Sequence, residues 1–127
     1  MRGGTRRDPR AERGRAAEDA ACVDLRRRGY RIVARNLRLA GAEIDIVARE
    51  GGTTVFVEVR SRSSRERGGP PETIGRGKQA RIARAAAAYL AGRGQGDVVA
   101  RFDVVGVDWS KGRACCTLVR AAFESPF

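Results

Sequence analysis

The chain has 127 residues, of which 42% are hydrophobic, and this is enough for one domain with a single core. It contains no histidine, which excludes nucleases and hydrolases that use histidine as metal ligand or general base, and carboxylates must therefore bind any metal. A formal net charge of +11 predicts a polyanionic partner, and nucleic acid is the expected one.

The three cysteines, Cys22, Cys115 and Cys116, form no CxxC pair, and the arginine-rich start lacks the apolar region of a secretory signal. We therefore expect reduced thiols in a cytoplasmic protein. Because no apolar run reaches the roughly 18 residues of a membrane-spanning helix, we expect no membrane association.

The N-terminal third begins with a basic tail and continues into a helix. Residues 1–10 are rich in arginine and glycine and predict disorder, either as an arm on nucleic acid or as a solvated tail. Residues 11–127 are predicted to form a single domain. Helical periodicity from about residue 9 to 28 places Glu18 on the inward stripe with Cys22 and Leu25. Glu18 is then either a site carboxylate or an acid favoured near a helix N-terminus.

A β-hairpin is the central element of the prediction. Gly29 ends the helix, residues 30–35 form a first strand, and residues 43–49 and 54–60 form two strands around Gly51 and Gly52. Alternation places Ile44, Ile46 and Ala48 on one face. Because a two-residue turn fixes the register, Asp45 should lie opposite Glu58.

Asp45 and Glu58 together predict a metal site. Directly opposed carboxylates repel each other, and a divalent cation such as Mg²⁺ would relieve this repulsion. The same register places Glu43 opposite Arg60, so Arg60 either faces the site or forms a cross-strand ion pair with Glu43.

After the hairpin, the chain continues into a long connection and a second helix. Four arginines of residues 61–77 are candidates for binding nucleic-acid phosphates, unless this segment is only a solvated loop: Arg62, Arg65, Arg67 and Arg76. The second helix is predicted over about residues 78–91, with Ile82 and Tyr89 facing inward. Lys78 lies on the same stripe and either reaches the site or extends its ammonium to solvent.

Two further strands are predicted at residues 101–109 and 113–120. Cys115 and Cys116 fall on opposite faces of the last strand, where we expect a structural role. Phe102 and Trp109 are expected to belong to the core, with stacking on nucleic-acid bases as the alternative.

These motifs resemble a superfamily of nucleases and, more closely, one family within it. Glu18 on a helix, Asp45 on a strand and Glu58-Val59-Arg60 after twelve residues resemble the PD-(D/E)xK restriction-endonuclease-like nucleases. More closely, five segments over about residues 13–107 resemble the YraN-like family, a bacterial group usually compared with archaeal Holliday-junction resolvases: EDAACVDLRRRGYRIVARN, GAEIDIV, VFVEVRSR, GKQARIARAAAAYL and RFDVV.

The resemblance implies both a fold and a site. The fold is α/β, with a restriction-endonuclease-like core and a mixed β-sheet flanked by two main helices. The site holds Mg²⁺ or Mn²⁺ on Asp45 and Glu58, with Glu18 as an auxiliary acid. Arg60 stands where the nuclease motif has lysine, and a guanidinium can stabilise developing charge but cannot act as a base.

We therefore hypothesise a Mg²⁺-dependent DNA endonuclease that acts on branched or recombination intermediates. Asp45 and Glu58 would hold the metal, while Glu18 and Arg60 complete the catalytic set. Nucleic acid would be bound by Arg62, Arg65, Arg67, Arg76 and Lys78. The first alternative is a DNA-binding accessory factor in recombination or DNA uptake that has lost catalysis, and the second is an RNA- or ribosome-associated module. The sequence leaves the oligomeric state open, including a homodimer.

Overall fold

A computed structural model of the chain describes residues 9–62, 74–95 and 98–125, and most of the predicted basic tail lies outside these ranges. The elements follow in the order α1 (Pro9–Arg27), β1 (Arg31–Leu39), β2 (Ala42–Glu50), β3 (Thr53–Arg62), α2 (Arg76–Gly92), β4 (Ala100–Asp108) and β5 (Cys115–Phe123). The five strands form one mixed sheet in the order β1-β2-β3-β4-β5. This confirms the predicted α/β class and is consistent with a restriction-endonuclease-like core.

α1 ends as the sequence predicts. Gly29 has a φ of +91°, and the N–H of Tyr30 bonds back to the Leu25 carbonyl at 3.0 Å. This is the glycine-terminated arrangement that satisfies the last carbonyls of a helix. The chain can therefore turn directly from α1 into β1.

Two tight hairpins join the first three strands. The first turn consists of Ala40 and Gly41, both at positive φ, so β1 extends to Leu39 and not only to the predicted residue 35. In the second hairpin Glu50 pairs with Thr53 and Val47 pairs with Phe56, which confirms the predicted register. This ladder runs as far as Ile46 and Val57.

β3 and β4 are parallel, and α2 lies between them in the sequence. A parallel pair needs such a crossover, because a short turn cannot bring the chain back to the same end of the sheet. β5 then returns antiparallel to β4. The first residues of α2 therefore lie near the end of β3, where Glu58 is located.

Each face of the sheet carries a separate hydrophobic cluster. On one face α1 packs against Ile46 and Ala48, and on the other α2 packs against Ile44 and Val47. The prediction that Ile44, Ile46 and Ala48 share one face is therefore wrong for Ile44. The alternation of β2 changes at Asp45, so Ile44 and Ile46 point to opposite faces although they are two residues apart.

The aromatic side chains belong to this core. Phe102 is 7% exposed and stacks against Phe56 at 5.7 Å between ring centroids. Trp109 packs against the α1 cluster and donates its indole N–H to Ser61 Oγ at 2.9 Å. Phe102 is thus a core residue, and Trp109 is partly buried against the core, which agrees with the role expected of both.

Candidate functional site

The neck of the β2–β3 hairpin brings Asp45 and Glu58 into contact. Both residues immediately follow the last pair of the ladder, where the Val59 N–H donates to Asp45 Oδ2 at 2.8 Å. Burial and the adjacent Glu58 carboxylate raise the pKa of Asp45 to about 8, although the Val59 hydrogen bond acts in the opposite direction. Ionisation of Asp45 beside Glu58 is therefore unfavourable in a region with little solvent.

Lys78 approaches this pair from the first turn of α2. Its Nζ forms an ion pair with Glu58 Oε2, and Glu58 is only 5% exposed. Of the two predicted alternatives for Lys78, the structure supports the one in which the ammonium reaches the site. Because a buried carboxylate without a partner is costly, Lys78 compensates the charge of Glu58.

A second group of carboxylates lies on the α1 side of Asp45. Glu18, Glu43 and Asp45 each offer one oxygen, and these oxygens lie within 4.8 Å of one another. Glu43 and Asp45 are two residues apart on β2, and α1 positions Glu18 above them. The helical spacing that placed Glu18 on the inward stripe of α1 is therefore confirmed.

Glu18 has an oxygen without a hydrogen bond. Its Oε1 is buried and accepts no hydrogen bond from any described residue. Arg35 lies 3.5 Å from this oxygen as an ion pair, but the same guanidinium nitrogen donates to Asp19 Oδ1 at 2.8 Å. A buried acceptor of this kind normally has a donor or a cation within reach.

The donor set fits a divalent cation. Carboxylate oxygens are the ligands that Mg²⁺ accepts, and at about 2.1 Å from the metal, opposite ligands are about 4 Å apart. The observed spread of up to 4.8 Å therefore needs only small side-chain movements to close around an ion. A cavity of about 290 Å³ opens beside these acids, with Asp45, Glu43, Glu58 and Lys78 in its lining.

Arg60 is not paired with Glu43. Glu43 faces Arg38 across the β1–β2 ladder, and their side chains lie 3.6 Å apart. No described carboxylate forms a salt bridge with Arg60, which lies beside Gly106 in the parallel β3–β4 pairing. The cross-strand ion pair that was the alternative role for Arg60 is thus absent from the described residues, because the β2–β3 ladder does not extend that far.

The predicted phosphate-binding residues are only partly described. Arg62 is the last residue of β3 and Arg76 the first of α2, so both flank the end of the sheet where Glu58 lies. Arg65 and Arg67 fall outside the described residues.

Glu43 and Arg35 are the site residues that sequence reasoning missed. Glu43 was assigned to Arg60 because the hairpin register was extended beyond the actual ladder. The sequence pattern already placed Glu43 on the face of Asp45, but as the partner of Arg60 and not as a further carboxylate of the site. Arg35 carried no signal, because its contact with Glu18 depends on how α1 docks on β1.

Similarity to known proteins covers most of the chain. A family model with the description "Uncharacterised protein family UPF0102" matches residues 17–107, close to the range over which the motifs resemble the YraN-like family. A UPF0102 protein of Symbiobacterium thermophilum is 46% identical over 88% of this chain and 96% of its own length. A UPF0102 protein of Desulforapulum autotrophicum is 47% identical over 88% of this chain and 93% of its own length. A UPF0102 protein of Bordetella avium is 42% identical over 98% of this chain and 83% of its own length. Within the described ranges, no helix has the length and apolarity needed to cross a bilayer.

Proposed function

This chain belongs to the uncharacterised protein family UPF0102, the YraN-like family that its motifs predicted, and we propose that it is a metal-dependent DNA endonuclease. The single observation that carries the proposal is Glu18 Oε1, a buried oxygen without a hydrogen bond, on a carboxylate that clusters with those of Glu43 and Asp45. Arginines approach Glu18 and Glu43 only at 3.5 and 3.6 Å, and no described basic residue forms an ion pair with Asp45. A bound cation accounts for all three.

The roles follow from position. Glu18, Glu43 and Asp45 would hold a divalent cation, and Glu58, which contacts Asp45, would be a further ligand. When bound, Mg²⁺ or Mn²⁺ supplies Lewis-acid polarisation of a phosphoryl oxygen. Lys78 places an ammonium at the same carboxylates, and Arg60 adds a guanidinium on the neighbouring part of β3. Both can stabilise the negative charge that develops on a phosphate during hydrolysis.

The substrate class follows from charge. A net charge of +11 favours a polyanion, and the arginines at the ends of β3 and α2 flank the carboxylates. Phosphodiester hydrolysis in DNA uses this combination of a basic surface and an acidic metal centre. The resemblance to junction resolvases makes branched DNA the first substrate to test.

The alternative is a DNA-binding factor in recombination or DNA uptake that binds the cation without cleaving. The specific observation in its favour is Arg60, where the resemblance implies lysine. The ammonium of Lys78 is the feature that favours the enzyme. Cleavage by Arg60→Lys but not by the wild type would identify the binding factor.

The metal centre is tested by thermal unfolding with and without Mg²⁺ or Mn²⁺. A ligand at 100 times its dissociation constant stabilises the folded state by about 2.7 kcal/mol, so the midpoint of the wild type should rise. Glu18→Gln and Asp45→Asn should abolish the rise. Glu124→Gln, an exposed acid near the end of β5, serves as the matched control.

Cleavage is tested with duplex, single-stranded and four-way-junction DNA in the presence of Mg²⁺ or Mn²⁺. We expect cleavage by the wild type and by Glu124→Gln, and none by Asp45→Asn. Equal metal stabilisation of the wild type, Glu18→Gln and Asp45→Asn would contradict the metal centre. Metal binding without cleavage of any of the three substrates would favour the binding factor.

A further inference from the structure

A cluster of arginines lies on the α2 face of the sheet, at the opposite end of α2 from the carboxylates. A cavity of about 190 Å³ is lined by Arg31 from β1, Arg49 from β2 and Arg93 from the end of α2, together with Thr54, Tyr89 and Gln95. No described acidic residue lines this cavity. The nearest acid in the sequence, Glu50, is already bound by Arg101 and Arg120 at 2.8 and 2.6 Å.

The strand register places two of these arginines directly against each other. Arg31 lies opposite Arg49 in the β1–β2 ladder. Directly opposed side chains have Cβ atoms about 4.5 to 5.5 Å apart, and like charges in this position are destabilising. No described carboxylate forms an ion pair with Arg31 or Arg49, so the repulsion is not relieved by the described part of the protein.

A β-bulge creates this pairing. If the register of the pair Ala34 and Val47 continued unchanged, Arg31 would lie opposite Glu50, an ion pair of ordinary kind. The irregularity between Ile32 and Ala34 shifts the register by one residue and moves Arg31 from the acid to Arg49. Bulges re-aim side chains and are frequent near functional sites.

Arg93 is held in place beside this pair. Its guanidinium lies over the ring of Tyr89, 4.7 Å from the centroid, and Tyr89 is 8% exposed within the α2 core. Stacking on an aromatic ring leaves the guanidinium edge available for hydrogen bonds to an oxyanion. Three guanidinium groups thus surround one cavity with Thr54 and Gln95 as further polar groups.

We propose that Arg31, Arg49 and Arg93 form a phosphate-binding subsite, distinct from the carboxylate centre. Lys78 and Arg93 are separated by about 22 Å along α2 at 1.5 Å per residue. At about 3.4 Å per base pair, this distance corresponds to about six base pairs of duplex. The backbone phosphate of a DNA molecule held at the carboxylates is therefore one source of the anion, and free phosphate is the other. Only the first source depends on the proposed function.

The subsite is tested first with inorganic phosphate alone. At constant ionic strength, replacement of chloride by phosphate should raise the thermal midpoint of the wild type. The increase should be lost in Arg49→Gln and in Arg93→Gln. Because Arg93 lies beyond the end of α2 and outside the strands, its replacement leaves the sheet intact. Arg113→Gln, an exposed arginine in the β4–β5 turn, controls for loss of one positive charge and should respond as the wild type does. Asp45→Asn should also respond, so failure of the nuclease proposal and failure of the subsite are distinguishable.

DNA binding then separates the two sources of phosphate. The logarithm of the binding constant falls with the logarithm of salt concentration by about 0.9 for each phosphate contact. A slope reduced by about 0.9 in Arg49→Gln but not in Arg113→Gln identifies the DNA backbone. A phosphate response that depends on Arg49, together with an unchanged slope, identifies free phosphate as the ligand. Equal phosphate responses of the wild type, Arg49→Gln and Arg93→Gln would overturn the subsite.

Discussion

Lys78 is the residue whose position changes the interpretation of the site most. Its ammonium pairs with Glu58, while position 60 carries a guanidinium in place of the motif lysine. α2 therefore brings a lysine ammonium to the carboxylates, whereas β3 carries arginine at position 60. Because Lys78 pairs with Glu58, it would compete with the proposed metal for the same oxygen.

Replacement of Lys78 by methionine should have two opposite effects. Cleavage measured in a single turnover should fall by on the order of 10² or more, the loss expected when a preorganised cation near the scissile phosphate is removed. The rise of the thermal midpoint with Mg²⁺ should become larger than in the wild type, because Glu58 is left buried without its partner.

Lys111→Met is the matched control, since Lys111 is the only other lysine and lies in the exposed β4–β5 turn. It should change neither quantity. A merely structural Lys78 would lower stability without a larger response to metal. Cleavage by Lys78→Met at the wild-type rate would exclude Lys78 from the chemistry.

At the same scale, the sequence predicted the contact between Asp45 and Glu58 but not the complete set of acids. A two-residue turn fixes the register locally, and this was sufficient to place these two residues together. The position of Glu43 depends on where β2 and β3 separate. That point is set by the packing of both helices on the sheet, and no local pattern reports it.

Among the elements, β1 differs most from its predicted bounds, and it contains or adjoins two non-glycine residues at positive φ. Asn36 and Ala40 have φ values of 53° and 52°, a region that favours glycine. The predicted first strand ended at residue 35, although β1 continues through Asn36 to a turn at Ala40 and Gly41. The helices and the β2–β3 hairpin follow strong periodicity and turn signals, and the sequence predicted them within a few residues.

A buried hydrogen-bond network joins three elements at the other end of the sheet. Asp103 on β4 is fully buried and accepts the Tyr30 hydroxyl at 2.8 Å and Arg101 Nε at 2.8 Å. The Ala121 N–H of β5 also donates to Asp103 at 3.0 Å, next to a register irregularity in the β4–β5 pair. Each oxygen of this buried carboxylate therefore has partners, and the network ties β4 and β5 to Tyr30, the residue before β1.

This network predicts an unusual titration of Tyr30. Burial, followed by its hydrogen bond to Asp103, raises the pKa of Tyr30 to about 12. Since the unfolded phenol titrates near about 10, the neutral form favours the folded state. The contribution to stability is complete below about pH 10 and is lost as pH rises through about 12.

Absorbance of the tyrosinate in Tyr89→Phe measures this pKa directly, because Tyr30 is then the only tyrosine. The midpoint should lie near 12. In Asp103→Asn it should move towards the ordinary value, since the second cause of the shift is removed. A midpoint near 10 in Tyr89→Phe would show that the hydroxyl is not held by Asp103.

For the whole molecule, the positive charge extends well beyond the N-terminal tail. Residues 1–16 carry a net charge of +4, which leaves +7 on the remainder, so the excess is not confined to the tail. The carboxylate centre lies at the end of the sheet where β3 ends and α2 begins, between Arg62 and Arg76. Under the proposed function, positive charge on both sides of the acidic centre would draw a phosphate backbone towards acids that would otherwise repel it.

The last prediction separates this local arrangement from bulk charge. Binding of duplex DNA should weaken strongly with salt, and the simultaneous change of Arg62, Arg65 and Arg67 to alanine should reduce the slope by up to about 2.7, since each phosphate contact contributes about 0.9. The control is the simultaneous change of Arg26, Arg27 and Arg28, exposed residues at the end of α1, which removes the same charge from a site remote in sequence. If the connection between β3 and α2 contacts DNA, the first variant should lose several times more of the slope than the second. Equal losses would assign the salt dependence to net charge, and an affinity that does not change with salt would remove the electrostatic basis for DNA binding.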